Sequence, residues 1–207
     1  MNIRQLFNQI EQLQQLKPFW DQFEFGLEND NIKSIFKEKG LNPTDDLIEL
    51  YSWHNGSIST KKIIHNKEVN SYKSIACFIP QIAFFALEDC FIVYKSQLGV
   101  KYPINLERSK FFTLSLNLFP ILNGDYYINL EKSSVTYGMI HTFEYGEEDI
   151  FPPVYDSLES IFKVFIECVE KNIFYFDSDN LLSIDYDKNN NVYYEILKKY
   201  NPKSYGL

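Results

Sequence analysis

Cysteine is scarce in this chain: Cys77, Cys90 and Cys168 are three in 207 residues, odd in number and far apart. They support no disulfide framework, and there is no CxxC and no Cys/His pair at zinc spacing. Each stands among apolar neighbours, as in Ile75-Ala76-Cys77-Phe78-Ile79, and reads as a small buried hydrophobe. Histidine is equally sparse. His54, His65 and His141 have no HExxH or HxE context, and His54, behind Trp53 on an amphipathic stretch, reads as a packing or capping residue. The eight glycines form no GxGxxG, GxxxxGK[ST] or GxSxG, so phosphate-cradling loops and the nucleophile elbow are missing. No apolar run approaches the ~18 residues of a membrane span. The start, Met1-Asn2-Ile3-Arg4-Gln5, lacks the apolar stretch of a signal peptide. Free thiols without an export signal point to the cytoplasm, and the sequon Asn55-Gly56-Ser57 is then incidental. Repeats of 20–50 residues are absent too, which excludes solenoids and propellers.

Apolar and acidic residues are plentiful. The chain is 45% hydrophobic with 18 Phe and 15 Tyr, enough for one large core without metals or disulfides. Its net charge is −8, unevenly placed. Residues 1–103 carry 11 basic and 12 acidic side chains and residues 104–207 carry 9 and 16, so the second half holds seven of the eight excess negative charges. That sign disfavours nucleic acid, whose phosphates need Lys and Arg, and favours a cationic partner.

Periodicity places the elements. Leu6, Ile10, Leu13 and Leu16 or Pro18 predict an amphipathic first helix, and Ile32, Ile35 and Phe36 a second over 31–39, stopped by Gly40. From Leu41 to Gly56 a third helix is marked by Asn42 as cap, Pro43 as first helical residue, and Asp45 and Asp46 against the positive helix end. Leu47, Leu50, Tyr51 and His54 share one face, and Asn55-Gly56 is its expected stop. Residues 61–72 read as a loop or weak hairpin, 74–79 as a strand, and 86–98 as a helix closed by Gly99. Residues 117–122 and 125–131 flank Asn123-Gly124 as a hairpin candidate, and 135–145 offers another strand. After Pro152-Pro153, a helix capped by Asp156 or Ser157 buries Leu158, Ile161, Phe162, Phe165 and Val169. Asn189-Asn190-Asn191 reads as a turn before a last short helix over 192–200. Helices, then strands, then helices predict an α+β fold with a mainly antiparallel central sheet flanked by N-terminal and C-terminal helices. One domain spans 1–207, its core about 25–203 and residues 1–24 a helical extension.

No set of residues assembles a catalytic centre. Asp185, Asp187, Asn189 and Asn191 fall at positions 1, 3, 5 and 7 of a calcium loop, yet Asn190 stands where glycine is needed and Ile196 where a bidentate glutamate is needed. A turn with Asx side-chain bonds explains that segment better. Glu147-Glu148-Asp149 beside Gly146 reads as an exposed loop, either merely solvated or facing a cationic surface. With Glu144, Tyr145, Asp177 and Asp179 these acids are the candidate partner-binding residues; Phe143, Tyr145, Phe151 and Tyr155 could anchor an interface or fill the core. A carboxylate-pair hydrolase is the remote alternative. No cofactor and no metal is expected.

The stretch Leu47-Ile48-Glu49-Leu50-Tyr51-Ser52-Trp53-His54-Asn55-Gly56 resembles the N-terminal hallmark of the SUKH superfamily, which unites a fungal cell-wall regulator family with bacterial immunity proteins. Further matches occur in the same order. Pro80 precedes Ala86-Leu87-Glu88-Asp89, and Phe119-Pro120-Ile121 leads through Asn123-Gly124-Asp125-Tyr126-Tyr127 into Ile128-Asn129-Leu130. Tyr155-Asp156-Ser157-Leu158-Glu159-Ser160-Ile161 is similar to the start of the family's C-terminal helix, and Asn201-Pro202 to a common ending. The motif residues are thus Leu50, Tyr51, Trp53, Asn55, Gly56, Pro120, Gly124, Asp125, Ser157 and Leu158. One departure is Asn42, which separates Leu41 from Pro43 where the family often has Leu-Pro. The resemblance implies a binding domain without an active site: an immunity protein that neutralises a cognate, cationic protein toxin, such as a nuclease, by direct complex formation. A non-enzymatic regulatory scaffold is the other reading it allows.

Overall fold

A computed structural model of the chain describes residues 2–13, 16, 20–57, 77–80, 82–91, 111–117, 125–143, 152–178 and 181–206. Helix α1 (Ile3–Gln12) is closed by a capping box: the Asn2 side chain accepts from Gln5 N, and the Gln5 side chain accepts from Asn2 N. Its buried stripe is Ile3, Leu6, Phe7 and Ile10. Strand β1 (Phe23–Phe25) comes next, then α2 (Asn29–Glu38), which buries Ile32 and Phe36. Gly40 ends that segment at φ 67°, a left-handed conformation glycine adopts without strain.

Helix α3 (Asp45–Trp53) starts later than the capping pattern predicts. Thr44, not Asn42, is the cap: its hydroxyl accepts from Leu47 N at 3.2 Å, which leaves Pro43 ahead of the helix. The other end also differs. The helix stops at Trp53 and the chain runs directly into β2 (His54–Ser57), which pairs antiparallel with β1. Gly56 keeps its left-handed φ of 81°, but inside a strand. A Cβ there would lie 2.1 Å from Ala86 N, so close backbone approach is what demands glycine.

Five antiparallel strands then form a meander in chain order: β3 (Ile82–Phe84), β4 (Phe111–Asn117), β5 (Asp125–Asn129), β6 (Ile140–Phe143) and β7 (Pro153–Tyr155). Three of these differ from the sequence expectation. Residues 77–79 make only an isolated Ile79–Ile82 bridge, and the strand is Ile82–Phe84. The described partner of β5 is 111–117, with Ser115 opposite Tyr126, and 118–122 of the expected strand lie outside the described residues. Residues 131–138 belong to turns, not to a strand, because buried Asn129 ties them down. Its Nδ2 donates to Ser134 Oγ and Thr136 Oγ1, and its Oδ1 accepts from Glu131 N.

Helix α4 (Leu158–Glu170) carries the predicted stripe, with Leu158, Ile161, Phe162, Phe165 and Val169 all buried. Ser157 is its cap, in a capping box completed by Ser160. A short hairpin succeeds it, β8 (Phe174–Phe176) with β9 (Leu182–Ile184). The last helix, α5 (Tyr186–Tyr200), begins six residues before the sequence expectation and takes in Asn189-Asn190-Asn191. Asp185 caps it by accepting from Lys188 N, and burial of Tyr193, Ile196 and Leu197 overrides the turn preference of the asparagines.

The class is α+β, and among the described residues there are three antiparallel sheets of five, two and two strands in place of a single central one. Residues before 25 share the core with later parts of the chain. Helix α1 packs on α3 and α4, and Ile3, Leu6, Phe7, Ile10, Leu16 and Phe23 join one buried cluster with Leu50, Phe84, Phe162 and Phe165. No helix of the described residues is long and apolar enough to cross a membrane.

Candidate functional site

The motif residues of the α3–β2 stretch hold distant segments together. Leu50 and Tyr51 are buried, and the Tyr51 hydroxyl lies 3.2 Å from Cys90 Sγ. Trp53 stacks on Phe7 with ring centroids 4.1 Å apart and planes 8° apart, and its Nε1 donates to Glu11. Asn55 acts as a cap for another element: its Oδ1 accepts from Leu87 N at 2.9 Å and its Nδ2 donates to the Glu88 carboxylate. Residues 87–91 are helical, so Asn55 serves an orphan amide at their start. Ser157 caps α4, Leu158 is buried beneath it, and Asp125 opens β5 opposite Phe143. Pro120 and Gly124 lie outside the described residues.

The thiols and the His54 imidazole are packed inside the fold. None of the three cysteines is in a disulfide, and all are buried. Burial pushes the Cys90 and Cys168 thiols up to about 12, so both stay protonated at neutral pH. His54 stacks on Phe23 at 4.7 Å and its Nδ1 lies 3.2 Å from the Glu24 carbonyl. Burial lowers its proton affinity, against the opposing pull of that carbonyl and of Glu11. Among the described residues no group of three or more His, Cys, Asp or Glu is arranged to hold a metal ion.

Two surface groupings remain. The first is acidic. Burial and then Glu159, Asp45 and Glu49 raise the Asp46 carboxyl above its ordinary value, so three carboxylates of α3 and one from the first turn of α4 act on one another. Arg4 pairs with Glu49 and Lys163 with Glu159, which neutralises part of this group. The second is built of tyrosines. Tyr155 and Tyr193 meet hydroxyl to hydroxyl at 3.4 Å in the interior. Around them, Tyr126 packs 6.2 Å from Tyr155, and Tyr186 and Tyr194 each lie 6.2 Å from Tyr193. Tyr186 and Tyr194 are 49% and 47% exposed, which makes this a surface with a buried floor.

Of the predicted partner-binding residues, Glu144, Tyr145, Glu147, Glu148, Asp149 and Asp179 lie outside the described residues. Asp177 has a folding task. Its carboxylate accepts from Leu181 N at 3.0 Å and from Ser183 Oγ at 3.1 Å, closing the β8–β9 hairpin. Neither surface grouping stands out in the sequence alone. Asp45 and Asp46 read there only as complements to a helix end, and nothing local ties them to Glu159. The four-residue spacing of Tyr186 and Tyr194 around Asn190 is the available signal, masked when the asparagines are read as a turn. Compared as a whole with profiles of known protein families and with curated proteins, the chain matches none.

Proposed function

We propose that this chain is a binding protein of the SUKH type, an immunity protein that neutralises a cationic protein toxin by covering it. The ordered motif resemblance supplies the class. The observation that carries the chemistry is the placement of Asp45, Asp46, Glu49 and Glu159 in one neighbourhood on a chain of net charge −8. An incoming cation relieves the mutual repulsion of crowded carboxylates. Opposed charge of this kind speeds encounter and fixes register, while buried anchors supply most of the binding energy. The motif residues, in this reading, build the scaffold and do not touch the partner: Tyr51, Asn55, Gly56 and Ser157 are occupied inside it.

Co-expression with the toxin domain of the adjacent gene tests this. The expected result is restored growth and a co-purifying complex. A toxin that still kills, with no complex recovered, overturns the reading; several weak partners and no neighbouring toxin gene would favour a regulatory scaffold instead.

A further inference from the structure

We infer that the outward face of α5 is a dimer surface, on which a second copy of this chain docks its own α5 antiparallel about a twofold axis. The inference goes beyond the toxin-binding reading and holds or fails independently of it. Apolar exposure among the described residues is concentrated here. Six large apolar or aromatic side chains are exposed, and Phe25 and Val135 stand apart on other elements. Tyr186, Val192 and Tyr194 lie on α5, between 46% and 49% exposed, and Tyr175 lies on β8. The opposite side of the helix buries Tyr193, Ile196 and Leu197, so the outward side is left to solvent or to a partner.

That outward side is complementary to itself. Asp187, Asn191, Tyr194 and Lys198 are all exposed and follow one another at spacings of four, three and four residues, the seam that a paired helix covers. The stripe is symmetric in position and opposite in charge. About the midpoint between Val192 and Tyr193, Asp187 mirrors Lys198 and Asn191 mirrors Tyr194. An antiparallel copy therefore sets each Asp187 against the other's Lys198, and each Tyr194 ring against an Asn191 amide. Parallel pairing would put Asp187 on Asp187 and Lys198 on Lys198, where like charges repel. Antiparallel packing also brings together helix ends of opposite partial charge.

Charge favours a copy over a partner of one sign. The helix carries Asp187 and Glu195 against Lys188, Lys198 and Lys199. Lys199 is taken, since its Nζ donates to Glu167 of α4 at 2.6 Å. Two charges of each sign remain, which suit neither a basic nor an acidic surface but match one mixed in the same way. Lys198 is loosely held, 3.9 Å from Glu195, and stays within reach of a partner. The face is also ordered in advance. Glu167 accepts from Tyr200 OH as well, and Asp156 accepts from Lys203 N, Ser204 N and Ser204 Oγ, which fastens the last turn of α5 and the residues behind it. Preorganisation of this kind lowers the ordering cost of docking. So short and polar a seam makes a weak, reversible dimer.

The test is sedimentation of the full chain over a concentration series from about 1 μM to about 1 mM, which brackets a weak dimer. The wild type should pass reversibly from monomer to dimer. Asp187→Lys and Lys198→Asp each create two like-charge contacts in a twofold dimer, and each should weaken association about tenfold. Both exchanges together restore opposed charge and should return association to within about threefold of wild type. That recovery separates docking from mere complementation of the helix dipole. The double exchange reverses the charge at both helix ends, so it should lower the melting temperature more than either single one while the dimer returns. A wild type that stays monomeric throughout overturns the inference. So does a dimer indifferent to both single exchanges, or one not recovered by the double. Amide NMR shifts of the wild type on dilution should centre on residues 187–198; shifts centred elsewhere overturn the inference even where a variant fails to fold.

Discussion

Two groups of aromatic rings divide this molecule, and they differ in chemistry as much as in burial. Around Trp53 the rings are Phe7, Phe23, Phe78, Phe84 and Phe162, with His54 and Trp20 at the edge. They join α1, β1, α3, β3 and α4, so they connect parts of the chain that are far apart in sequence. Around Tyr193 stand buried Phe174 and the tyrosines Tyr155, Tyr186 and Tyr194, the last two half exposed. Phenylalanine has no polar atom and gains only by leaving water; tyrosine keeps a hydroxyl that water or a partner satisfies equally well. Ring type in these two groups thus follows burial: phenylalanines fill the interior, and the half-exposed rings are tyrosines.

The largest effect should come from the first group. Phe162→Ala removes a ring that is 1% exposed and packs 5.1 Å from Phe7 and 4.9 Å from Phe78. We expect a loss of about 3–5 kcal/mol in denaturant unfolding; a loss under about 1 kcal/mol would show the cluster does not hold the core. Gly56→Ala comes next, through the β2 strand that this cluster supports. Left-handed strain alone costs about 1–3 kcal/mol, before the clash with Ala86 N is added. Asn55→Ala should cost about 0.5–2 kcal/mol by removing the cap at Leu87, read as a lowered melting temperature.

Glu167 probes the tyrosine side through pH. Burial pushes its carboxyl up, but Lys171, Lys199 and Tyr200 donate to it and hold it at about 2 against an ordinary 4.5. Its folded pKa is the lower one, so its contribution is complete above pH 4.5 and disappears as pH falls towards 2. Glu167→Gln should therefore be less stable than wild type at pH 7, with the gap closing across that window. A gap that stays constant would mean the carboxylate does not fasten α5. The smallest effect belongs to the exposed rings: Tyr186→Ala and Tyr194→Ala should each change stability within about 0.5 kcal/mol. A larger loss would place them with the packing group.

Much of this architecture is readable from residue spacing alone. The stripes of α2 and α4 and the main part of α3 come from apolar residues at helical spacing, because those faces are buried along their whole length. Short elements are not readable. A three-residue strand such as β8 or β9 offers too little alternation, and its hairpin depends on the Asp177 carboxylate reaching Leu181 and Ser183. Helix α5 reads too short because of three asparagines whose turn preference loses to the burial of Tyr193 and Leu197. Gly56 is a right residue with another reason: a helix stop is expected, and the approach of Ala86 is what needs it. The surface groupings are hidden because they are tertiary. Glu159 meets Asp46, and Tyr126 meets Tyr155, only when α4 and the five-stranded sheet are in place.

The proposal that this chain binds a cationic protein partner stands or falls on one titration: calorimetry of the purified chain with the toxin domain that the proposal expects the adjacent gene to encode, at low and high salt. A one-to-one complex whose affinity falls as salt rises is the predicted result; no detectable heat and no complex at either salt would contradict it.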